Sequence, residues 1–599
     1  MSNKFNFITA GVCLMLLLAC GPKENQPSQN RVAIIPTPVE LTVNSGSICS
    51  NKLADLPQKV KISEKALLGR LNGQNLTDWQ LKSAYWMEIG KRNVKIEAAD
   101  EQGLFYARQS LKMMATLDSV VTCCTILDWP RFQYRGIMLD ESRHYQGKAF
   151  VLKQLEMMAL LKLNRFHFHL VDNPGWRMQI DAYPLLTQQT AWRPIPYFWD
   201  WEVNGIGGDF VEDGTPNAYG GYYTKQDIAE ILAFANERHI EVIPEIEMPG
   251  HNYETRAAYP ELACSLPDGG PSKRELCPGK ESTYTFLENV LLEVFEVFPS
   301  QYIHMGLDEP FDFAVCPKCQ ERIANGETKA ELFYKHILHT YDLAKSMGKT
   351  MMMWDDFFEY ADVAERLPRD IIFCNWNYFF VADEPAGHWT NRIKKDWFRY
   401  YEELGFRYMF CTYAHRASSL YNLESFARYA SKYNPFGSIT TTWIRSDSFY
   451  LGAMPFMASA GQLLSGKIST DEEILKVYSE FVGEDCAKLL TSLSIATYFN
   501  GYNDFSACCE SEYYVKYAYR KQLAYVVDEL RKYESKADGL AKDILTDIYG
   551  YVYYIYLELE LQNVGTRLYD GYETNSVPKA ELIKGLQQIR AGYDEIEAK

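Results

Sequence analysis

Hydrophobic and polar positions follow one rule up to about residue 128 and another after it. Residues 32–128 hold an extended start (RVAIIPTPVELTV), alternating pieces such as VKIEAA, and one amphipathic stretch over 101–117. Alternation with period two marks half-buried strands, and a 3.6-residue period marks a helix. This part therefore reads as a small α+β domain. From Tyr134 short apolar runs alternate with amphipathic helices. The runs are 134–140 (YRGIMLD), 165–172 (RFHFHLVD), 241–249 (EVIPEIEMP), 302–309 (YIHMGLDE), 350–356 (TMMMWDD), 371–376 (IIFCNW), 407–413 (RYMFCTY) and 437–445 (GSITTTWIR). Helical stretches at 147–163, 225–238 and 329–347 lie between them.

Near-continuous apolar strands with helices between them predict a parallel sheet covered on both faces. Eight such units predict an α/β fold, a (β/α)8 TIM-like barrel over 129–460, preceded by the α+β domain and followed by a helical C-terminal region over 461–599. That last region includes 471–483 and the tyrosine-rich 541–563. No phosphate-binding glycine loop opens any of the helices, which argues against a dinucleotide-binding sheet.

The first 31 residues follow neither pattern. A basic start, an apolar stretch over 5–19 and Leu17-Leu18-Ala19-Cys20 predict a signal peptide over 1–19 rather than a membrane span. The Leu-Leu-Ala-Cys sequence resembles a bacterial lipobox, which implies a lipid anchor on Cys20 and a polar tether over 20–31. An exported lipoprotein at the periplasmic or cell-surface face of the outer membrane is the expectation.

Composition changes the picture little. A net charge of −17 among 599 residues excludes a basic nucleic-acid footprint. Aromatics at 14%, with 42 Tyr and 12 Trp, suit stacking on sugar rings and equally suit a large core. Cysteines matter more, because disulfides form outside the cytoplasm. Cys264 and Cys277 flank a polar loop and are the expected bridge. Cys316-Pro-Lys-Cys319 has metal-ligand spacing, but one such pair without a second is a weak signal, so neither metal nor cofactor is expected.

Candidate chemistry gathers where the runs end. Asp140, Asp172, His251, Asp308-Glu309, Trp354-Asp355, Trp376, Tyr413 and Trp443 all stand at or just past the C-terminal ends of predicted strands. In a barrel that rim is where active sites are built. The adjacent acids are the sharpest feature, since a nearby like charge disfavours ionising both. Alternation would send them to opposite faces, so both reach one site only if the strand breaks near Leu307. His167 and His169, inside the second run, read as packed strand histidines.

The stretches DWPRFQYRGIMLDESRH, LNRFHFHLVDNPGWRMQIDAYPLLT, GGYYTKQDI, IPEIEMPGH and YIHMGLDEP, with Trp354-Asp355 and Trp443, resemble the β-N-acetylhexosaminidases of glycoside hydrolase family 20. The resemblance covers about residues 32–460. It implies an enzyme that removes terminal N-acetylhexosamine from a glycan, using the substrate's own acetamido group. In that scheme Glu309 is the general acid, Asp308 orients the acetamido group, and Tyr413 donates to its oxygen. Ionised Asp308 is expected to raise Glu309. Arg135 corresponds to an arginine binding sugar hydroxyls, Asp172 and His251 to a pair beside the acid, and Trp354, Trp376 and Trp443 to pocket walls.

The chain departs from the family in places. Gly306-Leu307 replaces Gly-Gly, Asn173 replaces a second Asp, and His415 and Arg445 replace two acids that bind the C4 and C6 hydroxyls. An arginine fork suits an anionic group, so His415 and Arg445 predict a sulfated or otherwise anionic sugar. The rival readings are a catalytically silent glycan-binding lipoprotein and a glycosidase with a protein nucleophile. The second is disfavoured, because adjacent acids lack the separation of about 5 Å that it uses.

Overall fold

The computed structural model describes residues 32–53, 55–117, 120–194, 209–266, 270–310, 313–356, 362–378, 382, 395–413, 418–443, 479–489, 513–574 and 579–599. The N-terminal domain is a five-stranded sheet in the order 40–49, 120–128, 85–89, 94–98, 58–62. Strand Val94–Ala98 shows why it forms. Val94, Ile96 and Ala98 are fully buried while Lys95 and Glu97 face outward, the period-two pattern of a half-covered sheet. Helix Glu101–Leu117 covers that face with Leu104, Ala107, Leu111 and Met114, spaced to share one side of a helix. Its bounds match the sequence prediction.

Eight parallel strands then close into a barrel in chain order: Tyr134–Asp140, Arg165–His169, Glu241–Met248, Tyr302–Gly306, Thr350–Trp354, Ile372–Trp376, Arg407–Tyr413 and Gly437–Thr442. Both faces of each strand are buried, which is why the runs are nearly unbroken. Inward positions such as Met138, Ile243, Met352, Cys374, Met409 and Ile439 fill the barrel. Outward positions such as Ile137, Phe166, Ile303 and Phe373 pack under the helical layer. Helices Lys148–Leu160, Lys225–Asn236 and Lys329–Ser346 lie where amphipathicity placed them. Threonine caps explain two of the starts: Thr224 and Thr328 accept the backbone N–H groups of Asp227 and Glu331.

The floor of the barrel rests on the small domain. Arg135, second residue of the first strand, points there and not to the rim. Its guanidinium donates to Lys162 O, Phe132 O and Tyr106 Oη at 3.0, 2.8 and 3.0 Å. The expectation that Arg135 binds sugar is thus corrected. It stands at the wrong end of the strand, and its donors are already used, one of them on Tyr106 of the small domain. Beside it Lys162 Nζ pairs with Asp128 at 2.7 Å and donates to Tyr85 Oη at 3.0 Å.

The C-terminal region is helical where described, with Tyr513–Glu534, Gly539–Thr574 and Lys579–Ala598. Leu530, Ile544, Ile548 and Val552 join the same apolar cluster as the barrel. Lys153 reaches across to Asp547 at 3.5 Å. Most of the predicted helix 471–483 lies outside the described residues.

Candidate active site

The fourth barrel strand stops at Gly306, and the chain then turns sharply. Gly306, Leu307 and Glu309 take φ values of +64°, +79° and +45°. A non-glycine residue in that region costs on the order of 1 kcal/mol or more and persists only when its surroundings enforce it. Here they do. Leu307 is fully buried, and its N–H donates to Glu247 Oε1 at 2.9 Å. At Gly306 a Cβ would sit 2.0 Å from the Glu247 carboxylate. This turn breaks the alternation, so Asp308 and Glu309 both remain at the rim, with side chains 13% and 25% exposed.

His251 stands against the pair. It follows the third strand at φ +49°, and its Nε2 lies 3.3 Å from Glu309 Oε2 and 3.8 Å from Asp308 Oδ2. Its Nδ1 lies 3.0 Å from Asp172 Oδ1. Burial alone would lower its pKa, but Asp172 and Asp308 outweigh burial and hold it well above the usual range, so it is an imidazolium. Asp172 in turn pairs with Arg143 at 2.5 Å and His169 Nε2 at 2.8 Å. Burial would raise that carboxyl, yet Arg143 and His251 keep it ionised.

Two further acids surround Asp308. Burial, then the charges of Asp308 and Glu245, push Glu247 well above the carboxylate range. It keeps its proton and offers it to Asp308. Asp356 is raised by burial and by Asp308 and Glu309, and Trp376 Nε1 donates to it at 2.8 Å. Asp308 itself is raised by burial, against the pull of His251 and Glu247. A cluster of acids thus shares few charges, as like charges in one pocket must.

Beneath lies a closed network. Glu245 accepts from His167 at 2.7 Å and from His169 on one oxygen. On the other, Trp354 Nε1 donates at 2.7 Å and His304 Nδ1 lies 3.0 Å away. His167, Glu245 and His304 converge as metal ligands do, but both oxygens of Glu245 are taken within the network. The reading of His167 and His169 as strand histidines holds geometrically, with His169 also supporting Asp172.

Aromatic rings form the opposite side. Trp354 lies 6.0 Å from Trp443, whose ring also meets His169 at 4.9 Å and the Arg143 guanidinium at 5.3 Å. Trp443 Nε1 donates to Tyr378 Oη at 2.8 Å, and Tyr378 packs on Trp376 and on Tyr413 at 5.2 and 4.9 Å. The structure therefore brings together Asp172, His251, Asp308 and Glu309, with Trp354, Trp376, Tyr413 and Trp443 facing them. His415, Arg445 and Cys20 lie outside the described residues. Sequence reasoning missed Arg143, Glu247, Asp356 and Tyr378. Arg143 follows a strand end by three residues, a signal that Arg135 lacked.

The cysteines also depart from expectation. Cys264 and Cys277 are free thiols, not a bridge, and with Cys316 and Cys319 they form a buried group whose four Sγ atoms all lie within 4.8 Å. The expectation of no metal rested on the isolation of Cys316 and Cys319. Folding supplies the missing pair from another loop.

Residues 132–391 match the model of the glycosyl hydrolase family 20 catalytic domain, and residues 49–129 match that family's domain 2. A beta-hexosaminidase of Porphyromonas gingivalis is 32% identical over 401 residues, covering 58% of this chain and 49% of that one. One from Vibrio furnissii is 33% identical over 309 residues, covering 49% of this chain and 48% of that one. The chain spans about half the length of the curated relatives it matches. Among solved structures, a beta-N-acetylhexosaminidase from Bacteroides fragilis superposes with a TM-score of 0.57 at 25% identity, covering 76% of this chain and 96% of that one.

Proposed function

The chain belongs to glycoside hydrolase family 20, and on that premise we propose that it is an exo-acting β-N-acetylhexosaminidase with a retaining, substrate-assisted mechanism. The observation that carries this reading is the turn that sets Asp308 and Glu309 side by side, with His251 contacting both. Asp308 accepts the acetamido N–H, which turns the acetamido oxygen toward the anomeric carbon. That oxygen forms a bond to the carbon while the glycosidic C–O bond breaks and Glu309 gives its proton to the leaving oxygen. The resulting oxazolinium bears positive charge beside Asp308. Water then adds at the anomeric carbon, Glu309 takes its proton, and the acetamido group is restored. Protonated Glu247 supports the step, because it leaves Asp308 as the charged member of the pair.

The test is hydrolysis of an aryl N-acetyl-β-glucosaminide with product stereochemistry followed by NMR. Retention and inhibition by a thiazoline analogue are expected. A fluorosugar trapped covalently on any carboxylate would refute the mechanism, and no turnover would leave the glycan-binding alternative standing.

Two finer features belong to the same reading. His415 and Arg445 favour a sugar with an anion at C4 or C6, because an arginine fork binds such groups bidentately. A roughly tenfold or greater preference in kcat/KM for a 6-sulfated aryl substrate, lost in Arg445→Ala, is the expected result, while equal values rule out the preference. Lipidation at Cys20 places the enzyme on a membrane of its exporting cell. Cys20→Ser is expected to leave the membrane fraction, and unchanged processing and retention would exclude the lipobox.

A further inference from the structure

Two loops that follow neighbouring strands meet at the four buried cysteines. Cys264 lies in the short strand Ala263–Ser265, which pairs with Pro271–Leu276, and Cys277 follows directly. Cys316 caps the helix Pro317–Ala324, and Cys319 sits in its first turn. The first pair stands on the loop after the third barrel strand, which carries His251. The second stands on the loop after the fourth, which carries Asp308 and Glu309. All four residues are at most 2% exposed.

We propose that Cys264, Cys277, Cys316 and Cys319 bind one zinc ion in a tetrahedral thiolate site that fastens these two loops together. The geometry carries the assignment. Cys277 Sγ lies 3.4 Å from Cys316 Sγ and 3.9 Å from Cys319 Sγ, and no pair exceeds 4.8 Å. Zinc–sulfur bonds of about 2.3 Å along tetrahedral directions separate the sulfurs by about 3.8 Å. A disulfide needs about 2.05 Å and joins sulfurs in twos, whereas here Cys277 is close to sulfurs of the other loop.

The surroundings suit thiolates. The N–H of Cys319 faces Cys316 Sγ at 3.4 Å. Gly279 must lack a side chain, because its Cβ would sit 2.8 Å from Cys319 Sγ. Four thiols brought to one buried point, with small residues clearing the space, are what a closed structural zinc site requires.

The site also reaches the chemistry. Leu276 N–H donates to Pro249 O at 2.8 Å, just before His251, and a Cβ on Gly250 would meet Asp308 O at 2.9 Å. Zinc would hold this contact between the two loops.

The experiment uses the full chain purified anaerobically without chelator. About one zinc per chain by mass spectrometric metal analysis is expected. Cobalt exchange is expected to give the intense near-ultraviolet charge-transfer bands of tetrahedral thiolate coordination. Cys316→Ser/Cys319→Ser lowers metal content to background, whereas Cys486→Ser, a buried cysteine elsewhere, retains it. Should the double variant fail to fold, titration of the unaltered chain with an organomercurial supplies the readout, with zinc release tracking four thiols. Metal-free protein, or peptides linked through Cys264–Cys277 or Cys316–Cys319 disulfides, would overturn the proposal.

Discussion

The two halves of the barrel rim are built on different principles. On the first four strands, Arg143 pairs with Asp172, Asp172 with His251, and His251 with both Glu309 and Asp308, at 2.5–3.8 Å. On the last four, rings dominate. Of the two acids there, Asp355 is tied off, accepting from Asn375 and Tyr401 at 2.6 Å each, and Asp356 alone faces the acid pair. Charge thus gathers on one side of the mouth and shape on the other. Under the proposed function, protons would be handled where carboxylates and imidazolium are coupled, and the sugar would be oriented where rings are fixed. Substitutions in the first half are therefore expected to act on kcat, and those in the second on KM.

Glu309→Gln is the strongest test of this division. It is expected to slow cleavage of substrates with poor leaving groups by about 10²–10⁴, with a smaller loss for activated aryl leaving groups. A loss independent of the leaving group would remove Glu309 from the acid role.

His251→Gln comes next. It deletes the cation between Asp172 and the acid pair while keeping a donor, and a kcat drop of about ten- to a hundredfold with little change in KM is expected. A change confined to KM would move His251 to the binding side.

Trp376→Leu probes the other half. Loss of one ring contact, about 0.5–1.5 kcal/mol, is expected to raise KM by roughly two- to tenfold and leave kcat within twofold. A kcat loss comparable with that of Glu309→Gln would break the comparison.

The smallest effect is on stability against pH, where the halves should separate into two windows. His169 is buried, which lowers its pKa, but Glu245 and Asp172 raise it to about 10. Its contribution is full below about 6.5, the unfolded value, and is lost as pH rises through 10. Burial raises Asp355 to about 6, so the folded state binds its proton more tightly and stability declines as pH rises from about 4 to 6. Urea midpoints across pH should lose the alkaline slope in His169→Gln and the acidic slope in Asp355→Asn. Slopes unchanged by either substitution would refute the assignment.

Much of this was legible because a barrel strand buries both faces. The eight apolar runs, and the acids and tryptophans at their ends, follow from that alone. Arg135 shows where legibility stops. It sits in a strand and carries a charge, but register decides which end of the barrel it faces, and Arg143, unlike Arg135, lies past the strand's end. Asp355 and Asp356 are adjacent, and the turn after Trp354 decides which one sees the acid pair. Glu247 is held well above the carboxylate range by burial and by the charges of Asp308 and Glu245, and the approach of Asp308 from the next strand is set by the fold. The cysteines were read as separate pairs because the loops that unite them are far apart in sequence.

The contacts at the barrel floor bear on modularity. Lys162 and Asp128 pair with side chains only 10% and 9% exposed, and Arg135 spends three donors there. Removing one member of such a pair while the other stays buried costs about 3–5 kcal/mol, a large share of what holds a domain folded. The small domain is consequently not a detachable accessory. The two are expected to melt in one calorimetric transition, and a barrel expressed from residue 129 onward, without Asp128 and Tyr106 at its floor, is expected to be less stable than the full chain.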